Sequence, residues 1–253
     1  STCPTIGFLL PTVTPPYHAP LWTGVAEGAR EQGVRVICFT GWTLAPEGEI
    51  QDPRNMLYDW VSEENVDGLV IGATVGNFVT TERFRNFVNR YSDLPRVVIG
   101  EAVPGVHHVL IDNETGMREA LVHLIEDHDY HRIAFIRGPE DNEEANLRYQ
   151  VYVDVLAEYG LPFDPDLVAP GAFVQASGHA AIRLFLDERG LDPRKDFDVL
   201  ASASDNMVIG ALRELLARGF RVPTDVALIG FDDVEVASML TPSLTTVRQP
   251  PHE

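Results

Sequence analysis

From end to end the chain repeats one pattern: a short apolar run, a polar loop, then an amphipathic helix. Nothing else in it restricts the fold as much. The last round reads Asp198-Val-Leu-Ala-Ser-Ala-Ser-Asp205-Asn206-Met207, a helix to Arg218-Gly219, then Val226-Ala-Leu-Ile-Gly230-Phe231-Asp232-Asp233. Runs of four to seven Val-, Ile- and Phe-rich residues are what strands buried on both faces look like, because parallel sheets carry helices on both sides. They predict strands at 6–10, 34–39, 68–71, 96–100 and 106–111, then at 132–137, 167–170, 197–203, 226–230 and 244–248. Helical spacing falls between them at 21–32, 53–64, 82–91, 114–128, 143–159, 177–189 and 206–218, with a short helix at 235–240. Gly33, Gly160, Gly190 and Gly219 each follow a helix, as capping glycines do. Strict alternation implies an α/β protein with doubly wound parallel sheets.

After Asp112 the pattern restarts, so two similar lobes are expected rather than one wide sheet. The final strand follows too short a helix to return it to the second sheet. The chain is therefore expected to re-enter the first lobe there, giving lobes of 1–111 plus 248–253 and of 112–247, with a ligand cleft between them. In open α/β sheets ligands bind outside the carboxyl ends of the strands, where polar loops and helix N-termini converge.

Charge narrows the partners. The 38 acidic residues outnumber 19 basic ones, for a formal charge of −19, and such a surface repels phosphate backbones. This stretch is not expected to bind DNA by itself. No apolar run approaches the ~18 residues that cross a bilayer, so no membrane partner is expected. The opening segment lacks the basic region of a signal peptide and starts a strand. Cys3 and Cys38 lack metal-ligand spacing and read as buried, reduced thiols beside neighbouring strands, which favours a cytoplasmic location.

Enzyme chemistry finds no support. The sequence has no Gly-x-Ser-x-Gly elbow, phosphate loop or dinucleotide fingerprint, so no catalytic residue and no cofactor is expected. Eight histidines raise the question of metal. His107 and His108 alternate across a strand, and His123 and His128 are five apart on a helix and so not on one face. No metal site is expected.

A family resemblance lies in particular residues. Arg132-Ile-Ala-Phe-Ile-Arg-Gly-Pro139 followed by Ala145 and Arg148, then Ala203-Ser204-Asp205-Asn206-Met207, resemble the second lobe of lactose-repressor-type (LacI/GalR) transcriptional regulators. So do Val222-Pro223, Asp225-Val-Ala-Leu-Ile-Gly-Phe-Asp-Asp233 and Leu244-Thr-Thr-Val-Arg-Gln-Pro250. In the first half Ile6-Gly7, Val66-Asp67-Gly68 and Asp112-Asn113 match as well. The resemblance covers nearly the whole chain. It implies a periplasmic-binding-protein-like domain that closes on a sugar or similar small effector. It further implies a homodimer that meets DNA only through a helix-turn-helix, which this stretch does not carry. The chain reads as the sensor domain, without the closing helix that usually follows the Gln-Pro pair. The same domain serving as the input of a hybrid histidine kinase or GGDEF-type enzyme is the alternative. A periplasmic sugar-binding protein is a further one, which the regulator-type ending Leu244–Pro250 disfavours.

The candidate ligand residues sit after strands. Asp232 closes a strand and can accept two hydroxyl hydrogen bonds, while Asp233 is expected to cap the next helix. Arg148 matches the family's ligand arginine, and its five-donor fork suits hydroxyls or a carboxylate; a surface ion pair with Glu144 is the plain alternative. Asp205 either meets the ligand or caps its helix, and Ser204 stands where the family often has a ligand-contacting asparagine. Phe173 matches an aromatic that stacks on the ligand, with a core role as its rival. In the first half, Thr14, Tyr17 and His18 lie in the loop after the first strand, where paired aromatics are common in the family. Trp42, Thr74 and Glu101 end the next strands.

Overall fold

The computed structural model describes residues 3–14 and 17–249. Two compact units divide the chain, the first holding residues up to Ile111 and the second running Asp112–Gln249. In the first, β1 (Thr5–Leu10), β2 (Arg35–Thr40), β3 (Gly68–Gly72), β4 (Arg96–Ile99) and β5 (His107–Val109) form one sheet in the order β2-β1-β3-β4-β5. In the second, β6 (Ile133–Ile136), β7 (Val168–Ala169), β8 (Val199–Ser202), β9 (Ala227–Asp232) and β10 (Thr245–Arg248) take the order β10-β9-β8-β6-β7. Every pairing is parallel. Read from its first strand, the second order is the first one repeated, so each unit is a doubly wound sheet that reverses direction beside its opening strand.

Burial explains the strands. β6 and β8 are buried at every position, and Phe135, Phe185, Phe197, Leu200 and Phe231 join them in one core. The first unit has its own core around Leu9, Ile71, Phe84 and Val98. Fully covered strands need helices on both faces, and the helices supply them: α1 (His18–Glu31), α2 (Met56–Asp59) and α3 (Thr81–Asn89) in the first unit. The second unit has α4 (Asn113–Glu126), α5 (Glu143–Glu158), α6 (Gln175–Arg183), α7 (Asp205–Ala217) and α8 (Glu235–Met239). Between α6 and α7 the backbones touch, because a methyl group on Gly178 would lie 1.9 Å from the Met207 carbonyl oxygen and one on Gly210 would lie 2.0 Å from that of Gln175. The four capping glycines adopt the expected left-handed φ, between 64° and 82°.

Four expectations are corrected. The last strand does not leave the second sheet: β10 pairs in parallel with β9, Thr245 opposite Ile229 and Arg248 opposite Asp232. A short crossover suffices for an adjacent parallel strand, as β4 and β5 show with only a loop between them. The part of that expectation concerning 250–253 lies outside the described residues. The helix expected at 53–64 is a 3-10 turn, Pro53–Asn55, and then α2, which stops at Asp59. The side chain of Asn65 ends it by accepting from the Ser62 N–H while donating to the Trp60 carbonyl. Cys3 is exposed rather than buried, its thiol 2.9 Å from the Gly33 carbonyl oxygen. Cys38 is half-buried in β2, where burial pushes its thiol up to about 11. Finally, α4 ends before His128, so the chain turns at Asp129 (φ 58°) and brings the His128 and His123 Nε2 atoms to 3.1 Å. Even so, no group of three or more His, Cys, Asp or Glu among the described residues is arranged to hold a metal ion.

Candidate functional site

In a doubly wound sheet the two loops leaving the switch point have to diverge, and the crevice they leave is the natural ligand position. In the second unit those loops follow β6 and β8. The β6 loop leads into α5, whose first turns carry Glu144 and Arg148; the β8 loop supplies Ala203 and Ser204. Arg148 is where they meet. Only 3% exposed, it donates from Nε to Asn113 Oδ1 at 2.7 Å and from a terminal nitrogen to the Ala203 carbonyl at 2.6 Å. Its guanidinium carbon sits over Phe231, 3.8 Å from the ring centre. Glu144 and Asp232 each place a carboxylate oxygen 3.8 Å from it. The plain alternative of a surface ion pair with Glu144 is thereby replaced by a buried one shared with Asp232.

Asp232 ends β9 in a conformation unusual for a non-glycine residue, φ 120°, and Asp233 follows at φ 52°. Its carboxylate accepts from Gln249. Burial pushes it up to about 8; Arg148 opposes that shift, and the nearby Asp205 and Glu144 charges add to it. Glu144 is raised for the same first reason, burial. Strained backbone, a buried guanidinium and crowded carboxylates at the ends of strands form an arrangement suited to gripping hydroxyl groups.

The remaining second-unit candidates divide. Ser204 starts α7 and is 2% exposed; its hydroxyl makes no capping bond and has no hydrogen-bond partner. Asp205 is fully buried, and its two oxygens accept from Thr246 Oγ1 at 2.6 Å and from the Val234 N–H at 3.0 Å. It ties α7 to β10 and to the turn after β9, and burial raises it to about 6. Asp233 does not cap α8 as expected but pairs with Arg248. Phe173 takes a left-handed φ of 58° and packs at the edge of the core, with its ring against Gly138 in the β6 loop.

In the first unit the switch-point loops follow β1 and β3. They too are joined, His18 Nε2 lying 3.0 Å from Thr74 Oγ1. Tyr17 meets the His18 ring edge-on at 5.5 Å, and burial lowers His18 to about 4, leaving it a neutral ring. Thr14 is exposed; its hydroxyl lies 2.9 Å from that of Thr12 in its own loop, and its N–H donates to Thr12 Oγ1. Trp42 is 40% exposed and covered on one face by the Arg54 guanidinium at 4.0 Å. Its carbonyl accepts from Tyr58, whose hydroxyl also reaches the Leu10 carbonyl and so holds the ends of β1 and β2 together. Glu101 is buried after β4. Tyr17, His18 and Thr74 are brought together.

Sequence reasoning passed over Asn113, Gln249 and Thr246, which hold Arg148, Asp232 and Asp205. All three lie in stretches that carry the family resemblance, and their polar side chains next to apolar strands were the available signal.

A family model described as "Periplasmic binding protein-like domain" matches residues 121–253. The HTH-type transcriptional regulator CelR of Thermobifida fusca is 33% identical over 248 residues, covering 93% of this chain and 65% of its own length. The ribose operon repressor of Escherichia coli (strain K12) is 32% identical over 251 residues, covering 98% of this chain and 71% of its own. Among solved structures, a LacI family transcriptional regulator from Mycobacterium smegmatis superposes with a TM-score of 0.82 at 30% identity, over 98% of this chain and 85% of that one. A CelR–cellobiose complex does so at 0.80 and 31%, over 98% and 73%. Fold and site together define a periplasmic-binding-protein-like effector-binding domain. The chain belongs to the LacI family, and it spans about two thirds of the regulators it matches.

Proposed function

We propose that this chain senses a sugar or a closely similar polyol through the Arg148–Asp232 cluster and passes the bound state to the DNA-binding part of a cytoplasmic LacI-type regulator, without catalysing a reaction. The observation that carries this reading is Arg148 itself. A guanidinium costs several kcal/mol to desolvate, and here it is almost fully buried among polar groups at the ends of strands rather than inside the core. Arg and carboxylate side by side supply both donors and acceptors to vicinal hydroxyls, which each offer one of each. Among the described residues no helix is long and apolar enough to cross a membrane, which accords with a soluble sensor. The known relatives are transcription regulators, and one of them was solved with cellobiose.

The experiment is a melting-temperature screen with cellobiose, ribose and a set of nucleosides. At about 100 times its dissociation constant a ligand adds about 2.7 kcal/mol, a rise of roughly 5–10 °C for a chain of this size. A hit that shifts Arg148→Ala and Asp232→Ala as much as the unaltered chain would remove the cluster from the site. Family membership also supports a homodimer, and sedimentation should show twice the chain mass; a monomer at every concentration would argue against it.

A further inference from the structure

Where α4 ends, the chain brings two imidazoles together. On an unbroken helix residues five apart would diverge, but α4 stops at Glu126 and the backbone turns through Asp129. The turn is fixed, because the Asp129 N–H donates to the Ile125 carbonyl and the Tyr130 N–H to that of Leu124, each at 3.1 Å. His128 stacks on Tyr130, which packs against the core, and its ring meets that of His123 edge-on with centres 4.7 Å apart. The two Nε2 atoms lie 3.1 Å from each other. Nitrogens bound at about 2.0–2.1 Å to one zinc ion, roughly 100° apart as seen from it, have this spacing. At the other side of the His123 ring, Nδ1 lies 2.7 Å from Asp127 Oδ2. A carboxylate only accepts, so the ring proton sits on Nδ1 and Nε2 keeps its lone pair. Carboxylate, imidazole and free lone pair in that order are how a metal-ligating histidine is oriented. The carbonyl end of α4 and the chain's formal charge of −19 also favour a cation here.

We propose that His123 and His128 form a binding site for a divalent ion of the zinc, nickel and copper class, with Asp127 as the positioning residue behind His123. The ion replaces the proton shared between the two Nε2 atoms, and His128 then carries its own proton on Nδ1. No group of three or more His, Cys, Asp or Glu is arranged around a metal among the described residues, so water or a ligand from outside the chain completes the coordination. Magnesium and calcium prefer oxygen ligands and are not expected there. The pair sits at the opposite end of α4 from Asn113, which bonds Arg148, roughly 20 Å away along the helix. The site is therefore separate from the effector cluster and does not rest on the reading of that cluster. Bound metal ties the last turn of α4 to the turn beyond it.

Calorimetric titration of the untagged, chelator-stripped chain with zinc, and separately with magnesium, tests this beside four variants. His123→Ala and His128→Ala should each weaken zinc binding about 100-fold, and Asp127→Ala about 10-fold, the cost of losing the group that orients a metal ligand. His131→Ala should change nothing, since that ring turns to the Asp129 carbonyl instead. All four side chains are exposed or half-buried, so the metal-free variants should stay folded, which a melting curve checks. In nitrogen NMR of the unaltered chain, zinc should move the Nε2 signals of His123 and His128 together and leave the other six of the eight histidines in place. No zinc binding tighter than about 1 mM, or magnesium bound as tightly as zinc, overturns the proposal. So does zinc binding that survives either histidine substitution, or that depends on His131 as much. Binding indifferent to Asp127→Ala would leave two adventitious surface imidazoles without a built site, and overturns it too.

Discussion

Replacing Arg148 by alanine is expected to destabilise the second unit by about 3–5 kcal/mol near neutral pH and to weaken effector binding by about 100-fold or more. The loss is large because Arg148 does three things at once. It bonds Asn113 and the Ala203 carbonyl, so its removal leaves a buried amide oxygen and a buried carbonyl without their donor. It covers Phe231, so a cavity opens over that ring. It is also the cation that Asp232 and Glu144 share, so without it the ionisation of Asp232, already raised to about 8, is opposed further and leaves buried charge uncompensated. Those carboxylates can escape by taking up protons, so the deficit should shrink at about pH 5 and grow at about pH 9. Urea unfolding at the two ends of that range, followed by a probe of the second unit, measures it. A deficit under about 1 kcal/mol, or one indifferent to pH, would mean that Arg148 is a packed surface residue and not the hub of a charged cluster.

The frame of this molecule was legible because its strands are buried on both faces. Ile133–Ile136 is apolar throughout and Val199–Ser202 carries only a buried serine at its end, so little blurs their limits, and the glycines after the helices mark where each one stops. What was not legible depends on contacts between distant segments. The helix expected through Glu64 ends at Asp59 because the side chain of Asn65 competes for backbone groups, a tertiary choice that helical spacing does not register. The expectation for the last strand failed on a rule of thumb about crossover length, although the β4–β5 connection shows how little chain a parallel neighbour needs. At the site, Asp232 and Arg148 were identifiable from their strand-end and family positions, and the structure sets them 3.8 Å apart. Asp205 had equal claims by position, but Thr246 and Val234 occupy its oxygens, and nothing at 205 reveals partners 29 and 41 residues away. His123 and His128 show the same limit in reverse: five apart, they would diverge on an unbroken helix, yet they touch because the helix ends between them.

Asp232→Asn should move binding and stability in opposite directions. An ordinary aspartate titrates near 4, whereas Asp232 is raised to about 8 in the folded chain, first by burial and then by the Asp205 and Glu144 charges that Arg148 only partly offsets. Between those values the folded state holds a proton that the unfolded state has released. The stability this group contributes is therefore complete below about pH 4 and is lost as the pH rises through about 8, with a slope of up to about 1.4 kcal/mol per pH unit. Asparagine has no such proton to lose. Asp205, raised to about 6, has the same sign and persists in the variant, so the clean window lies between about pH 6 and about pH 8. Across it the variant should gain about 2–3 kcal/mol on the unaltered chain, with the histidines cancelling in the difference. The same substitution turns a charged acceptor into a neutral amide, so sugar binding should weaken about 10- to 100-fold. In the unaltered chain, affinity for a neutral sugar should rise towards pH 8 as the carboxylate ionises. Parallel stability curves for the two proteins across that window would show that Asp232 is already ionised in the empty site. The carboxylate would then be an ordinary partner of Arg148, and the opposition between holding a ligand and holding the fold would not exist at this position.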